Sequence, residues 1–163
     1  MRAQIERALA LGLDITHLDS HMGTLFHPSL AKIYLQLGLE YRLPIAIPQN
    51  LDEWLSAYPS LLKAIRPLLM RSSLPKVKVL DGYSTPNGSR RDWFLQTLAK
   101  LQPGVYHFIH HAALPTAESQ RIPDWQGRQA DLEALQDAAV RRTIAGYTQL
   151  TYREVRDALR ASM

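Results

Sequence analysis

The chain has 163 residues, a hydrophobic fraction of 46%, a charged fraction of 21% and a formal net charge of +4. These values are typical of a globular domain with a core, and they exclude an intrinsically disordered chain. The lack of cysteine excludes a disulfide framework, a thiolate metal site and a cysteine nucleophile.

Apolar runs and basic residues are both scattered along the sequence. The longest apolar runs, such as ALALGL, are too short to cross a bilayer, and the N-terminal stretch MRAQIER lacks the apolar region of a signal peptide. Adjacent basic residues occur only at Arg90-Arg91 and Arg141-Arg142, without interleaved aromatic residues. We therefore expect a cytoplasmic protein that binds neither nucleic acid nor membrane.

The first forty residues contain two predicted helices and a strand-like run. An apolar stripe predicts a helix over 2–11, with Gly12 as its C-cap. Residues 14–19 (DITHLD) are short and β-like. A second helix should begin at Pro28 and end at Gly38, because proline suits the first helical position and glycine suits the end.

The middle of the chain continues this alternation. The apolar run 44–47 predicts a strand, and 76–80 (KVKVL) alternates cleanly as a further strand. Between them, residues 51–71 have helical periodicity that Pro59 and Pro67 should interrupt. The remaining predictions are a loop over 81–88, a helix over 89–101, a strand at VYHFIHH, a long loop over 112–127, and helices over 128–143 and 151–161, the last beginning with a capping box at Thr151-Tyr152-Arg153-Glu154.

Short strands that are each followed by helical sequence indicate parallel βαβ units. We predict an α/β fold over a single domain, 1–163: a partial (β/α) barrel-like domain with short parallel strands and surrounding helices. An open sheet remains an alternative at this stage. In either case, functional groups should gather at the C-terminal ends of the strands.

Two histidine clusters follow predicted strands. In THLDSHMGT, His17, Asp19 and His21 stand at alternate positions, so an extended chain would direct them to one face. Imidazole nitrogens and a carboxylate can bind a divalent ion, and the carboxylate can instead orient a histidine ligand. A lone histidine near a strand end is more often an ordinary hydrogen-bonded residue. The prediction of a metal or catalytic role therefore depends on the clustering of several histidines.

The second cluster, YHFIHH, contains His107, His110 and His111. In an extended chain His107 and His111 face one way and His110 the other, and a register shift of one residue would reverse these faces. The sixth histidine, His27, lies after the first cluster. We expect the two clusters to meet in one cleft around a cation.

Three segments resemble the YdjC-like carbohydrate deacetylase family, which includes the chitooligosaccharide deacetylases. They are ALGLDITHLDSHMGTLFHP, the run from Gln102-Pro103-Gly104-Val105 through His111-Ala112-Ala113, and the segment from Ile144 to Leu159. They occur in the family's order and span nearly the whole chain.

The resemblance implies a barrel-like fold, a divalent metal ion (Mg or Zn), and hydrolysis of the N-acetyl group of an amino sugar or oligosaccharide. It also implies roles for individual residues. By motif position, His21 corresponds to a metal ligand, His17 and Asp19 support it, and His111 transfers a proton or contacts the substrate. We further predict metal binding by His17, a catalytic role for Asp19 beside His111, and substrate binding by His110, His107 and Arg42.

The sequence departs from the family pattern in several places. It lacks the family's Asp-Asp-Phe-Gly motif, so we expect it to be the C-terminal portion of the family domain. Ala112 replaces the proline of a His-Pro pair, His107 replaces an acidic residue, and Ala46 replaces an arginine, for which Arg42 is the nearest candidate.

The resemblance implies that an aspartate of the Asp-Asp-Phe-Gly motif is one of the metal ligands, so we expect weak or no activity from this chain alone. The open side of the partial barrel should be covered by another copy, in a homo-oligomer, or by a missing N-terminal segment. The alternative is a truncated, non-catalytic α/β domain that self-associates. A metal-binding module without chemistry is a third possibility.

Overall fold

The computed structural model describes residues 1–54, 56, 58–82 and 89–162, so most of the loop predicted over 81–88 lies outside the described residues. The α/β prediction is confirmed, with a three-stranded parallel sheet and surrounding helices. The described helices are α1 (Arg2–Ala10), α2 (Pro28–Glu40), α3 (Leu51–Trp54), α4 (Pro59–Arg71), α5 (Arg90–Ala99), α6 (Trp125–Gln136), α7 (Ala138–Ala145) and α8 (Tyr152–Ala161).

The sheet has the order β1-β2-β3, formed by Ile47–Pro48, Lys76–Asp81 and Tyr106–Ile109. Strands β1 and β2 are parallel, with Ile47 opposite Lys76. Two 3-10 helices, His21–Phe26 and Ser119–Arg121, lie in the connections. No helix in the described part of the chain is long and apolar enough to cross a membrane.

The chain divides into two compact units. The first comprises Met1–Lys78 and Leu150–Met163, and the second comprises Val79–Gln149. The first histidine cluster belongs to the first unit and the second cluster to the second. That residues 1–163 form one portion of a longer family domain stays a prediction.

The core of the first unit lies between α2, α4 and β1. Tyr34 of α2, Leu69 of α4 and Ile47 of β1 are buried in one apolar cluster, which Leu159 of α8 also joins. The prediction that Gly38 ends α2 is wrong, because the helix continues to Glu40 and Gly38 lies inside it. A Cβ at Gly38 would stand 2.9 Å from Leu74 Cδ1, so the glycine permits close packing rather than chain reversal.

The strand predicted over 14–19 is wrong. In this segment the structure has only an isolated parallel bridge, which pairs Leu18 with Ile45. Two carbonyls that a strand ladder could use are bound by side chains instead: Arg156 Nη1 donates to Ile15 O at 3.0 Å, and Tyr34 Oη donates to Leu18 O at 2.8 Å. The backbone is therefore satisfied without a ladder.

The prediction that Pro67 interrupts the helix is wrong, because α4 continues through it. Pro59, in contrast, is the first residue of α4. Proline removes the hydrogen bond to the carbonyl four residues earlier, here that of Lys63. Both Pro67 and Lys63 are exposed, so water can satisfy this carbonyl and the helix continues.

The second unit packs α5, α6 and α7 together. Phe94, Ala134 and Val140 form its buried cluster, and Phe108 of β3 stacks on Phe94 with ring centroids 6.0 Å apart. The helix predicted over 128–143 is two helices, because the Asp137 side chain caps the second. Its Oδ1 accepts hydrogen bonds from the backbone N–H groups of Ala139 (2.8 Å) and Val140 (3.1 Å).

Neighbouring leucines of α4 give a matched test of the first core. Leu69→Ala should lower the free energy of unfolding by about 2–5 kcal/mol, because Leu69 is fully buried and its truncation leaves a cavity. Leu68 is 37% exposed, so Leu68→Ala should cost less than about 1 kcal/mol. Urea unfolding measures both, and equal losses would contradict the placement of α4.

Candidate functional site

The first histidine cluster is held in place through the backbone of Leu18. Its N–H donates to Pro44 O at 3.0 Å, and its carbonyl accepts from Tyr34 Oη at 2.8 Å. Both backbone groups of Leu18 are thus bonded to neighbouring elements. This fixes the positions of His17 and Asp19 on either side of it.

The imidazole of His17 is half-buried and lies flat on the ring of Tyr152. The two ring centroids are 4.1 Å apart and the planes differ by 12°. Nδ1 of His17 lies 2.9 Å from Thr16 Oγ1, within hydrogen-bond distance. The ring is therefore oriented by a stacking contact and by a hydroxyl, before any ligand is considered.

Helix α8 brings Tyr152 to this position. The predicted capping box is confirmed: Glu154 N–H donates to Thr151 Oγ1 at 3.3 Å, and Thr151 N–H donates to Glu154 Oε2 at 2.6 Å. One turn after Tyr152, the buried guanidinium of Arg156 donates to the carboxylate of Asp14 and to the carbonyl of Ile15.

Tyr152 and Arg156 were not among the residues predicted for the site. The sequence does indicate that they share one face of a helix, since Tyr152, Arg156 and Leu159 follow helical spacing. An arginine at a position of such a stripe must find acceptors when the face is buried. The acceptors, 141 and 142 residues earlier in the chain, could not be identified without the structure.

The charge of Asp19 acts on several groups around it. Burial lowers the pKa of the His17 imidazole below its usual value, and the negative charge of Asp19 partly opposes this. Burial, with a smaller contribution from Asp19, raises the pKa of Tyr152 to about 12. Burial, followed by the charge of Asp19 and the neighbouring Tyr152, also raises the pKa of Tyr34. The site therefore favours a neutral imidazole beside an exposed carboxylate.

A cavity of about 240 Å³ lies beside these groups, between α1, α2 and the segment that carries His17 and Asp19. Most of its lining is apolar, from residues such as Ile5, Ala8 and Leu37. Its volume is below the range of about 300–1,000 Å³ that is common for sites of larger ligands.

His21 lies outside any strand, because a 3-10 helix begins at this residue. Its carbonyl accepts a hydrogen bond from Thr24 Oγ1 at 3.0 Å, and Ser20 Oγ accepts one from Leu25 N–H at 2.8 Å. The alternation predicted for His17, Asp19 and His21 as one strand is therefore wrong. The His21 side chain is exposed.

Histidine, aspartate and glutamate side chains are the donors that this chain could offer to a divalent ion. Over the described ranges, no three histidine, aspartate or glutamate side chains are grouped so that they could hold a metal ion. Nδ1 of His17 is within hydrogen-bond distance of Thr16 Oγ1, and its ring stacks on the ring of Tyr152. The described residues thus do not by themselves fit a complete metal centre, and the ligand roles of His21 and His17 stay predictions.

The second cluster lies at and beyond the end of β3. His107 is within the strand, His110 directly follows its last residue and is exposed, and His111 is half-buried. The backbone N–H of His111 donates to Asp131 Oδ2 at 2.9 Å. Sequence reasoning missed Asp131, a buried acidic residue in α6. The expectation that this cluster shares a cleft with the first stays a prediction.

Arg42 follows α2 and precedes β1, so it lies before the strand rather than at its C-terminal end. It is exposed and has a positive φ of 49°, and its carbonyl accepts a hydrogen bond from Arg160 Nε at 3.4 Å. Its role in substrate binding stays a prediction.

Comparison with known proteins assigns this α/β chain to a family. The model of the YdjC-like protein family matches residues 1–146, so the chain belongs to that family. The resemblance found in the three sequence segments is thereby confirmed.

Curated relatives include enzymes that act on carbohydrates. The chain is 43% identical to the carbohydrate deacetylase of Thermus thermophilus, over 98% of this chain and 59% of the relative. It is 28% identical to the carbohydrate deacetylase of Geobacillus stearothermophilus, over 93% of this chain and 56% of the relative. The chain therefore spans less than two thirds of the length of these relatives.

The environment of His17 predicts an acid-dependent loss of stability. Because folding lowers the His17 pKa, the unfolded chain binds the proton first as the pH falls. The stabilisation due to neutral His17 is complete above about pH 6.5 and is lost as the pH falls through the folded-state pKa. Urea unfolding between about pH 7.5 and about pH 5.5, with EDTA present, should show a smaller loss in His17→Gln than in the wild type.

An identical acid-dependent loss in the wild type and His17→Gln would contradict the half-buried, neutral state of this imidazole.

Proposed function

We propose that the protein is a metal-dependent hydrolase that removes N-acetyl groups from amino-sugar carbohydrate. The observation that carries this proposal is the 43% identity to a carbohydrate deacetylase over 98% of the chain. The chain spans 59% of that relative. We therefore propose further that this chain alone is weakly active or inactive.

The reaction is the addition of water to an amide. The water oxygen bonds to the acetyl carbon, the bond between that carbon and the sugar nitrogen breaks, and the nitrogen takes up a proton, giving acetate and a free amine. In this proposal His111 supplies that proton or contacts the substrate, and His110 and His107 contact the sugar. The exposed position of His110 after β3 supports a substrate contact.

We propose that the protein uses a divalent ion, Mg or Zn. His21 and His17 would each contribute an imidazole ligand, and Asp19 would orient them. When bound, such an ion makes water more acidic and polarises a carbonyl. Since the described residues do not form a complete ligand set, this assignment requires further donors from outside them.

Partners and location are part of the same proposal. The substrate class is an N-acetylated amino sugar or oligosaccharide, and the proposed location is the cytoplasm. Nucleic acid and membrane are not proposed as partners. We also propose that the protein forms a homo-oligomer.

A second candidate is a non-catalytic α/β domain that self-associates. One observation favours it: Leu11 and Leu13, just after α1, are 60% and 57% exposed, and Leu9 near the end of that helix is also exposed. Adjacent exposed leucines are a common feature of contact surfaces between proteins. This candidate predicts self-association without release of acetate.

Acetate release from N-acetylglucosamine oligomers tests the deacetylase proposal. The assay should use the chain alone and a chimera that adds the part of the Thermus relative outside the match, each with added Zn²⁺ or Mg²⁺. The chimera should release acetate, and His21→Ala should lower its rate by at least about 100-fold, because a metal ligand is lost.

His27→Ala serves as the matched histidine control and should keep most of the rate. If His21→Ala and the parent chimera react equally fast, His21 is not a metal ligand. If neither the chain nor the chimera releases acetate at any metal concentration, the deacetylase proposal fails and self-association remains.

A further inference from the structure

A single buried carboxylate joins two elements of the second unit. Asp131 of α6 accepts a hydrogen bond at Oδ2 from the backbone N–H of His111, over 2.9 Å. Its other oxygen, Oδ1, lies 2.8 Å from Nε of Arg90, the first residue of α5. Asp131 thus bonds at once to the chain just after β3 and to the beginning of α5.

The Arg90–Asp131 ion pair is almost completely buried. The side chains are 9% and 4% exposed, respectively. Removing two charges from water is unfavourable, and their attraction offsets this only when the geometry is good. An apolar pair would fill the same space, but it could not bond the His111 backbone N–H. The ion pair is therefore better explained by its role in holding the His111 backbone in place than by a contribution to the free energy of unfolding.

Neighbouring groups restrict the guanidinium of Arg90 further. It lies 5.9 Å from the centre of the Trp93 ring. Gly82 directly follows β2, and a Cβ at this position would stand 2.8 Å from Trp93 Cζ3 and 3.1 Å from Arg90 Nη1. Gly82 therefore lies close to Arg90 and Trp93, and a side chain at this position would collide with them.

The Arg90–Asp131 ion pair lies next to residues that directly follow the C-terminal ends of β2 and β3. Gly82 follows β2, and His110 and His111 follow β3. Beyond His111, Ala113 N–H donates to Arg128 O at 3.2 Å, so α6 holds this segment at a second point. Residues after the C-terminal ends of parallel strands commonly form the functional site of an α/β fold.

We propose that Asp131 and Arg90 are positioning residues for the imidazoles of His110 and His111. The carboxylate fixes the backbone at His111, and Arg90 fixes the carboxylate. Because a shift of one residue would exchange the sides to which these two imidazoles point, the bond to Asp131 selects which imidazole faces the substrate. This inference rests on the proposed deacetylase function, since it assigns the imidazoles to that reaction.

Asp131→Asn tests the proposal with almost no change in shape. The single oxygen of the asparagine should face the charged Arg90, so its NH₂ group would face the His111 N–H and could not accept from it. Backbone amide exchange at His111 should become at least about 10-fold faster, since its acceptor is lost. In the active chimera, kcat should fall by about 10–100-fold with KM changed less than about 2-fold, because misplaced groups slow the reaction more than they weaken binding.

Arg90→Lys and Arg91→Lys form the second test, on adjacent residues of α5. Arg91 makes an exposed ion pair with Asp137 at 3.0 Å, so its replacement should leave kcat and His111 exchange unchanged. Arg90→Lys should reproduce the effect of Asp131→Asn in weaker form. It also provides the measurement if Asp131→Asn fails to fold.

Two-dimensional NMR of the His110 and His111 rings separates the possible failures. We expect the contacts of these two rings to change in Asp131→Asn and Arg90→Lys and to stay unchanged in Arg91→Lys. Unchanged contacts, or altered contacts with unchanged kcat, overturn the positioning role. Lack of acetate release from the parent chimera refutes the proposed function instead, and the positioning of the two rings is then decided by the ring contacts alone.

Discussion

The buried guanidinium of Arg156 is the contact on which the arrangement of the first unit depends. It bonds to Asp14 and to the carbonyl of Ile15, 141 residues earlier. A buried charge is tolerated only where its donors find acceptors, so this contact fixes the approach of α8 to the segment before the first histidine cluster. The same contact places Tyr152, one helical turn earlier, on the ring of His17.

Both histidine clusters are held by the same kind of device, although they belong to different compact units. In each unit a buried ionic side chain bonds to the backbone of a segment that is not itself in a strand. In the first unit Arg156 binds the Ile15 carbonyl, and in the second Asp131 binds the His111 N–H. Such bonds replace the strand ladder that would otherwise orient the side chains. In both units a helix therefore takes part in orienting the proposed functional groups, and in the first unit the bond from Leu18 N–H to Pro44 O contributes as well.

This device also explains what the sequence could and could not predict. Helix positions follow from local rules, as the capping box at Thr151 and the proline at the start of α2 show. The strand expected over 14–19 fails because Arg156 and Tyr34, remote in sequence, take its carbonyls. The histidines are recognisable because their spacing is local, and the stripe that contains Tyr152 is visible in the sequence. The partners of Asp131 and Tyr152 are not, since these contacts arise only from folding. Membership of the YdjC-like family was visible in three segments and is confirmed.

The central claim is that Arg156 holds α8 so that Tyr152 orients His17. The most direct measurement is the nuclear Overhauser effect between the ring protons of His17 and Tyr152, in the wild type and in Arg156→Gln. Arg153→Gln is the control, since Arg153 is a more exposed partner of Asp14 on the same helix. The account predicts a strong effect in the wild type and in Arg153→Gln, and its loss in Arg156→Gln. An undiminished effect in folded Arg156→Gln would contradict the claim.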